Sequence, residues 1–303
     1  MKLSISYSFY ITVATMLLCA ACVQSEVVSN DEDVLLVFDP ILNEISKSAA
    51  SPGEFPSGQD FGVDVWDYPA GAETSLWEEY LMDARVARSG NEWKPGGNVL
   101  WPERTRHIAV LAHSPFGKAS SVGLEKGVEF KDVDVTADQT DLLYCELVRD
   151  QAKSGTVVSV PFRHALCHID FAMRTNALSS ENVEVKSVSV KYFCTQGNFR
   201  SIPTPEWALT GQMHQVEFFS GSVSLGSLNR PLEPGLWTIP QYIESVVNVK
   251  LDYTDTNGIL LHLDLDSEPL KLNTEAGRQY SVTMAFVTDD LSLRLDEQFK
   301  KDK

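Results

Sequence analysis

The sequence predicts a mostly β protein that consists of two tandem antiparallel β-sandwich domains. Apolar and polar side chains alternate in many short segments, which is the period of half-buried strands. Glycine, proline and asparagine separate these segments, and few stretches have helical spacing. A chain of 303 residues with 43% hydrophobic residues is long enough for two cores. We place the boundary near residue 175, so the expected domains span 34–175 and 176–303.

The amino-terminal segment 1–21 is typical of a bacterial lipoprotein signal peptide. Lys2 supplies a positive charge, and a short apolar run, Ile11–Leu18, ends in the small residues of C-A-A-C. That run is too short for a permanent transmembrane helix. Cys22 is therefore the predicted lipidation site and first residue of the mature chain. The alternative is a plain secretory signal that is cut nearby, and either signal exports the protein from the cytosol.

The segment 22–33 is predicted to be a tether, because it is polar and has no apolar periodicity. A lipid on Cys22 would hold everything downstream at the surface of the outer membrane. The formal net charge of −17 argues against nucleic acid as a partner, because binding to phosphates depends on clustered lysine and arginine.

Three cysteines, Cys145, Cys167 and Cys194, lie in the predicted folded part of the chain. They allow at most one internal disulfide, and whether they form one stays open. These three cysteines form no Cys-x-x-Cys pair of the kind found in metal and redox centres. We therefore expect the hydrophobic core to hold the fold together.

The first domain is predicted to contain several strands and one helix. The strands are expected at 61–65, 108–112, 128–135 and 142–148. The helix is expected at 74–88, where Leu76, Trp77, Tyr80 and Leu81 would share one face behind a capping threonine.

The second domain shows the alternation more clearly. The runs 247–253 and 261–266 flank an Asn257-Gly258 turn signal and predict a hairpin. Further strands are expected at 183–192 and 280–286, and a change of parity between Lys186 and Ser187 predicts a bulge. The run 291–295 is either an ordinary edge strand or a strand offered to a partner by β-augmentation.

The stretch 161–170, P-F-R-H-A-L-C-H-I-D, contains residue types that bind zinc or act as nucleophiles. If 158–173 forms one strand, Cys167 lies on the apolar face and His164 and His168 lie together on the other. Those histidines would be roughly 13 Å apart at about 3.3 Å per residue, which is too far to share a zinc ion. We therefore predict a core strand here and no metal site.

The rest of the sequence points away from catalysis. The acidic run 132–138 is similar to a calcium loop, but Ala137 replaces the glycine of the turn and Leu143 replaces the bidentate glutamate. Glu78 and Glu79 would point to different sides of a helix. The chain lacks a nucleophile elbow, a Walker loop and a dinucleotide fingerprint. We predict a protein with no enzymatic activity, no catalytic residues and no cofactor.

A series of short motifs follows one order along the chain. The motifs are Phe61-Gly62-Val63, Trp93, Trp101-Pro102, His107–Pro115, Gln139–Leu143, Phe162–Cys167, Ile239–Gln241 and Ala276–Tyr280. Together with the lipoprotein start, this ordered set resembles the fimbrillin-like family. These are lipoprotein-derived pilus subunits and related surface proteins of anaerobic Gram-negative bacteria. The resemblance spans residues 55 to 287, nearly the whole mature chain.

The resemblance implies two transthyretin-like β-sandwich domains and a place at the outer membrane or cell surface, in a fimbria. In polymerising members of the family, a trypsin-like protease cuts in the first strand or its linker. Removal of that strand opens a groove, which the carboxyl-terminal strand of another subunit then fills. The implied partners are other pilus subunits, and the implied role is structural or accessory and contributes to adhesion.

The cleavage site in this chain is expected at Lys47, the basic residue between Cys22 and Phe61. Arg85 and Arg88 lie too deep in the first domain to release a single strand. The alternative to cleavage is an uncut anchor or accessory subunit.

A second hypothesis is a non-polymerising surface lipoprotein that binds a host glycan or protein receptor through Trp77, Trp93 and Trp101. The competing interpretation of these tryptophans is that they anchor the core or the turns.

Overall fold

The computed structural model describes residues 34–42, 53–56, 58–103, 105–153 and 157–298. The predicted lipidation site Cys22, the tether and Lys47 lie outside these residues. In the described ranges there is no helix with the length and apolar character needed to cross a bilayer.

The described residues form strands and a single 3-10 turn, Thr74–Leu76, so the prediction of a mostly β fold is confirmed. The strands before residue 165 are β1 Phe38–Leu42, β2 Gly53–Glu54, β3 Phe61–Pro69, β4 Glu78–Ser89, β5 Glu92–Pro95, β6 Arg106–Ser114, β7 Ser121–Gly123, β8 Gly127–Asp134, β9 Leu143–Ala152 and β10 Val158–His164. The strands after it are β11 Cys167–Thr175, β12 Asn182–Cys194, β13 Gln196–Arg200, β14 Glu206–Leu209, β15 Met213–Ser224, β16 Arg230–Pro231, β17 Leu236–Thr238, β18 Tyr242–Ser245, β19 Val247–Thr254, β20 Leu260–Asp266, β21 Leu270–Asn273, β22 Gln279–Val287 and β23 Ser292–Gln298.

The first sheet has the order β10-β9-β6-β3-β4-β5-β1-β2 and closes on itself, because β1 also pairs with β10. It encloses one hydrophobic cluster. The fully buried members of this cluster include Phe38, Phe61, Val63, Val110 and Phe162. Closure removes the free edges that an open sheet would expose.

The remaining strands form sandwich-like sheets around a second hydrophobic cluster. Their orders are β16-β11-β22-β23 with β17 beside β11, β15-β12-β19-β20, β14-β13-β8-β7, and β18-β21. The cluster includes Cys167, Ile169, Val188, Val249 and Met284. Strand β8 joins this group although it precedes β9 in the chain, because it pairs with β13.

The predicted hairpin and bulge are confirmed. β19 and β20 pair antiparallel in an unbroken register from Asn248 opposite Asp266 to Thr254 opposite Leu260. The register of β12 shifts between Val185 and Ser187 on both of its sides, which is where the sequence parity changes.

The predicted helix at 74–88 is wrong. The 3-10 turn ends at Leu76, and Glu78–Ser89 is strand β4, which pairs with β3 and β5. Register shifts occur in the β3–β4 pairing, and Asp83 adopts a φ of 45°. These irregularities interrupt the two-residue alternation of apolar side chains that a regular strand shows. The apolar spacing that results in the sequence is also compatible with a helix.

The prediction of one strand over 158–173 is also wrong. The stretch divides into β10 and β11, with Ala165 and Leu166 buried between them. Val158, Val160, Phe162 and His164 are buried in β10, whereas the odd-numbered residues are buried in β11. The core-facing parity therefore changes at the break, since β10 belongs to the first sheet and β11 to another.

Candidate functional site

Strand β1 closes the first sheet, and the extent of its pairing differs between its two sides. It runs parallel to β10 over five residue pairs that begin with Phe38 opposite Val158. On its other side it meets β5 in one pair, Phe38 opposite Trp93, and it folds back on the two-residue strand β2. One short strand therefore completes the closed sheet.

The backbone immediately before β1 is also hydrogen-bonded. The N–H of Leu36 donates to the carbonyl of Val99 at 2.8 Å, and the N–H of Trp101 donates to the carbonyl of Val34 at 2.8 Å. At the start of β10, the N–H of Val158 donates to the carbonyl of Val37 at 2.8 Å. Segment 34–42 thus satisfies backbone groups on both of its sides.

An aromatic cluster lies beneath β1. Phe38 is 1% exposed, and its ring centroid is 6.3 Å from that of Phe61. Phe55 contacts Phe61, Trp93 and Phe162 at centroid distances of 5.5, 5.3 and 5.1 Å. Removal of β1 would expose apolar rings together with the paired edge of β10, and a strand with suitably spaced apolar side chains could cover both.

A groove of about 670 Å³ runs beside β1. Phe38, Phe55 and Trp93 contribute its apolar wall, and Arg88 and Glu92 contribute polar groups. Because its walls come from β1 and from the turn between β4 and β5, the groove follows the side on which β1 meets β5 in a single pair.

Strand β23 contains most of the alternating run 291–295 and is an edge strand. It pairs antiparallel with β22, and the register shifts between Thr283 and Met284. Leu293 is buried, and Arg294 is exposed and paired with Asp290 at 2.5 Å. The structure therefore matches the edge-strand interpretation of this run.

The two histidines of the stretch 161–170 meet at one tryptophan. The Nδ1 atom of His164 lies 2.6 Å from Asp141 Oδ2, and its ring stacks on Trp237 at 5.9 Å. The ring of His168 contacts the same Trp237 at 4.5 Å. Within the described ranges, no three or more His, Cys, Asp or Glu side chains are grouped as metal ligands.

Cys167 lies in the core of the second cluster. It is fully buried, and its Sγ donates to the carbonyl of Thr238 at 3.3 Å. Burial raises the pKa of this thiol to about 12, so it stays protonated at neutral pH. Cys145 and Cys194 are likewise buried and free.

The acidic run 132–138 uses its carboxylates to hold turns. Asp134 accepts hydrogen bonds from the N–H of Thr136 at 2.8 Å and from the side chain of Gln196 at 2.8 Å. Asp138 pairs with Lys118 at 2.5 Å, and this contact lowers the pKa of the carboxyl. Satisfied carboxylates of this kind stabilise a turn.

The three tryptophans of the second hypothesis have different surroundings. Trp93 and Trp101 are 9% and 6% exposed and belong to the first cluster. Trp77 is half-buried and stacks on Tyr68 at 4.2 Å with an interplanar angle of 7°, while Arg149 lies 5.3 Å from its ring. Two of the three therefore anchor the core, and Trp93 also contributes to the wall of the groove beside β1.

The alternation of side chains does not predict strand β1, although the sequence contains a signal for it. The signal was the run V-L-L-V-F at 34–38, a short apolar stretch that ends at Asp39-Pro40. A run of this kind is typical of a strand buried on both faces.

The fold is shared with solved bacterial structures. The chain is similar to a fimbrial protein from Bacteroides vulgatus, with a TM-score of 0.61 and 13% identity over 88% of this chain and 99% of that chain. It is similar to a candidate cell adhesion protein from Bacteroides uniformis, with a TM-score of 0.55 and 14% identity over 90% of this chain and 99% of that one. A candidate cell adhesion protein from Bacteroides ovatus gives a TM-score of 0.50 and 15% identity over 88% and 96%. No curated protein matches the chain.

These likenesses show that the fold is a β-sandwich fold of the type found in those fimbrial and candidate adhesion proteins. The fimbrillin-like family matches residues 49–296, and the chain belongs to that family. Membership supports a fimbrial or adhesive role at the cell surface.

Proposed function

We propose that the protein is a lipid-anchored structural or accessory subunit of a fimbria, and that a strand from another subunit replaces β1. Cys22 carries the lipid and holds the precursor at the outer membrane. Cleavage after Lys47 then separates β1 from the rest of the chain.

The observation that carries the proposal is the closure of the first sheet by a single short strand. Loss of β1 leaves β10 with one unpaired backbone edge and exposes the cluster around Phe38 and Phe61. Unpaired backbone groups and exposed apolar surface both raise the free energy of the cut subunit. Both therefore favour association with a new strand. A donor strand relieves both at once.

The position of Lys47 supports the proposal as well. It is the basic residue of the segment 43–52, which connects β1 to β2. A cut there starts the new chain at Ser48 and leaves Phe38–Leu42 on the released fragment. The remaining contacts of β1 are then non-covalent, so a donor strand can compete with it.

The test uses the purified chain with Cys22→Ser, which removes the predicted lipid site. Limited digestion with a trypsin-like protease is followed by gel electrophoresis without boiling and by amino-terminal sequencing. We expect a chain that begins at Ser48 and a ladder of oligomers. Lys47→Arg keeps the cleavage site and should give the same ladder, whereas Lys47→Ala should stay uncut at this position and give no ladder. Complete cleavage after Lys47 without oligomers would contradict strand replacement.

A further inference from the structure

Strand β20 presents a long, regular edge to which no described strand is paired. It is the last strand of the sheet β15-β12-β19-β20, and no described residue pairs with its second side. Its seven residues pair with β19 without a register shift. In contrast, β15 at the opposite edge of the sheet has several register shifts in its pairing with β12. A flat, unbulged edge is the form of strand that adds a partner strand most easily.

The side chains of β20 alternate between two rows. Leu261, Leu263 and Leu265 are half-buried and pack on the second hydrophobic cluster. The opposite row, Leu260, His262, Asp264 and Asp266, is exposed. A partner strand must therefore bring an apolar row to the first face and a complementary polar row to the second.

We infer that the partner is β20 of a second copy, paired antiparallel about Leu263. In that register Leu261 lies opposite Leu265 of the other copy, and Leu263 lies opposite its counterpart. The apolar rows of both copies then continue each other. Because the twofold axis passes through the pair of Leu263 residues, every other cross-strand pair occurs twice.

The two central pairs of the exposed row are complementary in the same register, whereas the two outer pairs place Leu260 opposite Asp266. His262 faces Asp264 of the second copy, and Asp264 faces the second copy's His262, so an imidazole meets a carboxylate at both positions. A shift of one residue would exchange the polar and apolar rows. Charge and hydrophobicity therefore select the same pairing, although the chain has a net charge of −17 that opposes association in general.

The carboxylates of β20 already have partners within one chain. Asp264 accepts a hydrogen bond from Asn248 at 2.6 Å, and Asp266 pairs with Lys191 at 2.6 Å. His262 contacts Asp252 at 2.6 Å and remains 76% exposed on its side chain. Charged residues normally keep strand edges apart, but these contacts reduce the repulsion between two copies.

The pairing would join two four-stranded sheets into one continuous sheet. It is separate from strand replacement at β1, because β1 and β20 belong to different sheets. The failure of either proposal would leave the other standing.

The test is sedimentation velocity of the uncut chain with Cys22→Ser, over concentrations up to about 100 µM. We expect a concentration-dependent dimer. His262→Asp places two carboxylates opposite each other and should weaken the dimer at least tenfold. His214→Asp is the matched control, because His214 is exposed on β15 at the other edge of the same sheet, and it should leave the dimer unchanged.

The double variant His262→Asp/Asp264→His exchanges the two partners and should restore dimerisation to within about threefold of the original affinity. Thermal midpoints measured in dilute solution establish that each variant is folded. A chain that is monomeric at every concentration would overturn the proposal. Equal effects of His262→Asp and His214→Asp would overturn it too, and so would a double variant no better than His262→Asp.

Discussion

The face of β3 and β6 that points away from Phe61 and Val63 contains two ionisable side chains that are almost fully buried. Asp64 is 4% exposed and His113 is 1% exposed. Gly62 is opposite His113, and a Cβ at Gly62 would lie 2.2 Å from the ring, so the imidazole occupies space that only a glycine leaves free. Both side chains therefore titrate in a nearly dry environment.

Burial moves the pKa values of these two groups in opposite directions. Desolvation raises the pKa of Asp64 to about 6 and lowers the pKa of His113 to about 4. The Oδ1 atom of Asp64 accepts the N–H of Asp83 at 3.0 Å, and Oδ2 has no hydrogen-bond partner among the described residues. The folded state therefore favours the protonated carboxyl of Asp64 and the neutral imidazole of His113.

We expect Asp64→Asn to stabilise the protein at neutral pH. The pKa of Asp64 is higher in the folded chain than in the unfolded one, so its contribution to stability is full below about pH 4 and declines as the pH rises through 6. Asparagine stays neutral and can still accept the Asp83 N–H. The gain in free energy of unfolding should be about 1–2 kcal/mol at pH 7.5.

Urea unfolding at pH 7.5 and at pH 3.5 measures this gain, and the difference between the two chains should disappear at the lower pH. Asp39→Asn is a suitable control, because Asp39 is exposed on β1. A gain of equal size at both pH values would show that the effect does not come from the ionisation of Asp64.

At the scale of the element, the sequence predicts strands in which apolar and polar side chains alternate regularly, but it does not predict where a strand is interrupted. The β19–β20 hairpin was predicted because Val249, Leu251 and Leu263 keep a strict period of two around an Asn-Gly turn. The break between β10 and β11 was not, since Ala165 and Leu166 are both apolar and continue the run without a turn residue. Tertiary pairing with two different sheets divides that segment, and no local signal marks it.

Strand β4 is an example of the opposite error. Its apolar residues Tyr80, Leu81 and Ala84 are spaced as on a helix, because register shifts and the backbone at Asp83 interrupt the alternation. Pairing with β3 and β5 decides the structure, since it satisfies the backbone on both sides. The family was readable from the ordered motifs, whereas the strand β1 that carries the proposed function was not identified.

We expect Phe38→Ala to loosen β1 specifically. Phe38 is 1% exposed and provides both the first pair with β10 and the pair with β5. Deletion of a buried phenyl ring costs about 3–5 kcal/mol through lost burial and the remaining cavity. Hydrogen exchange followed by mass spectrometry should show faster exchange in β1 and along β10.

The matched control is Asp39→Ala, which changes the next residue of the same strand but removes an exposed side chain. It should leave exchange within β10 unchanged. Equal acceleration in both variants, or acceleration spread over β19 and β20 as well, would contradict a local role for Phe38.

At the scale of the whole molecule, family membership and two features of the sheets support the proposed associations through strands. The chain belongs to the fimbrillin-like family and consists of sheets with short turns. Its first sheet is closed by one five-residue strand, and its sheet β15-β12-β19-β20 ends in a regular free edge. Because the net charge of −17 opposes association in general, we expect association to depend on these particular edges.

The most direct test of strand replacement is the amino-terminal sequence of this subunit in surface fimbriae that have been sheared from cells and separated from membranes. The account predicts that assembled chains begin at Ser48 and have lost Phe38–Leu42. Assembled chains that retain a lipidated Cys22 and an intact β1 throughout the polymer would contradict it.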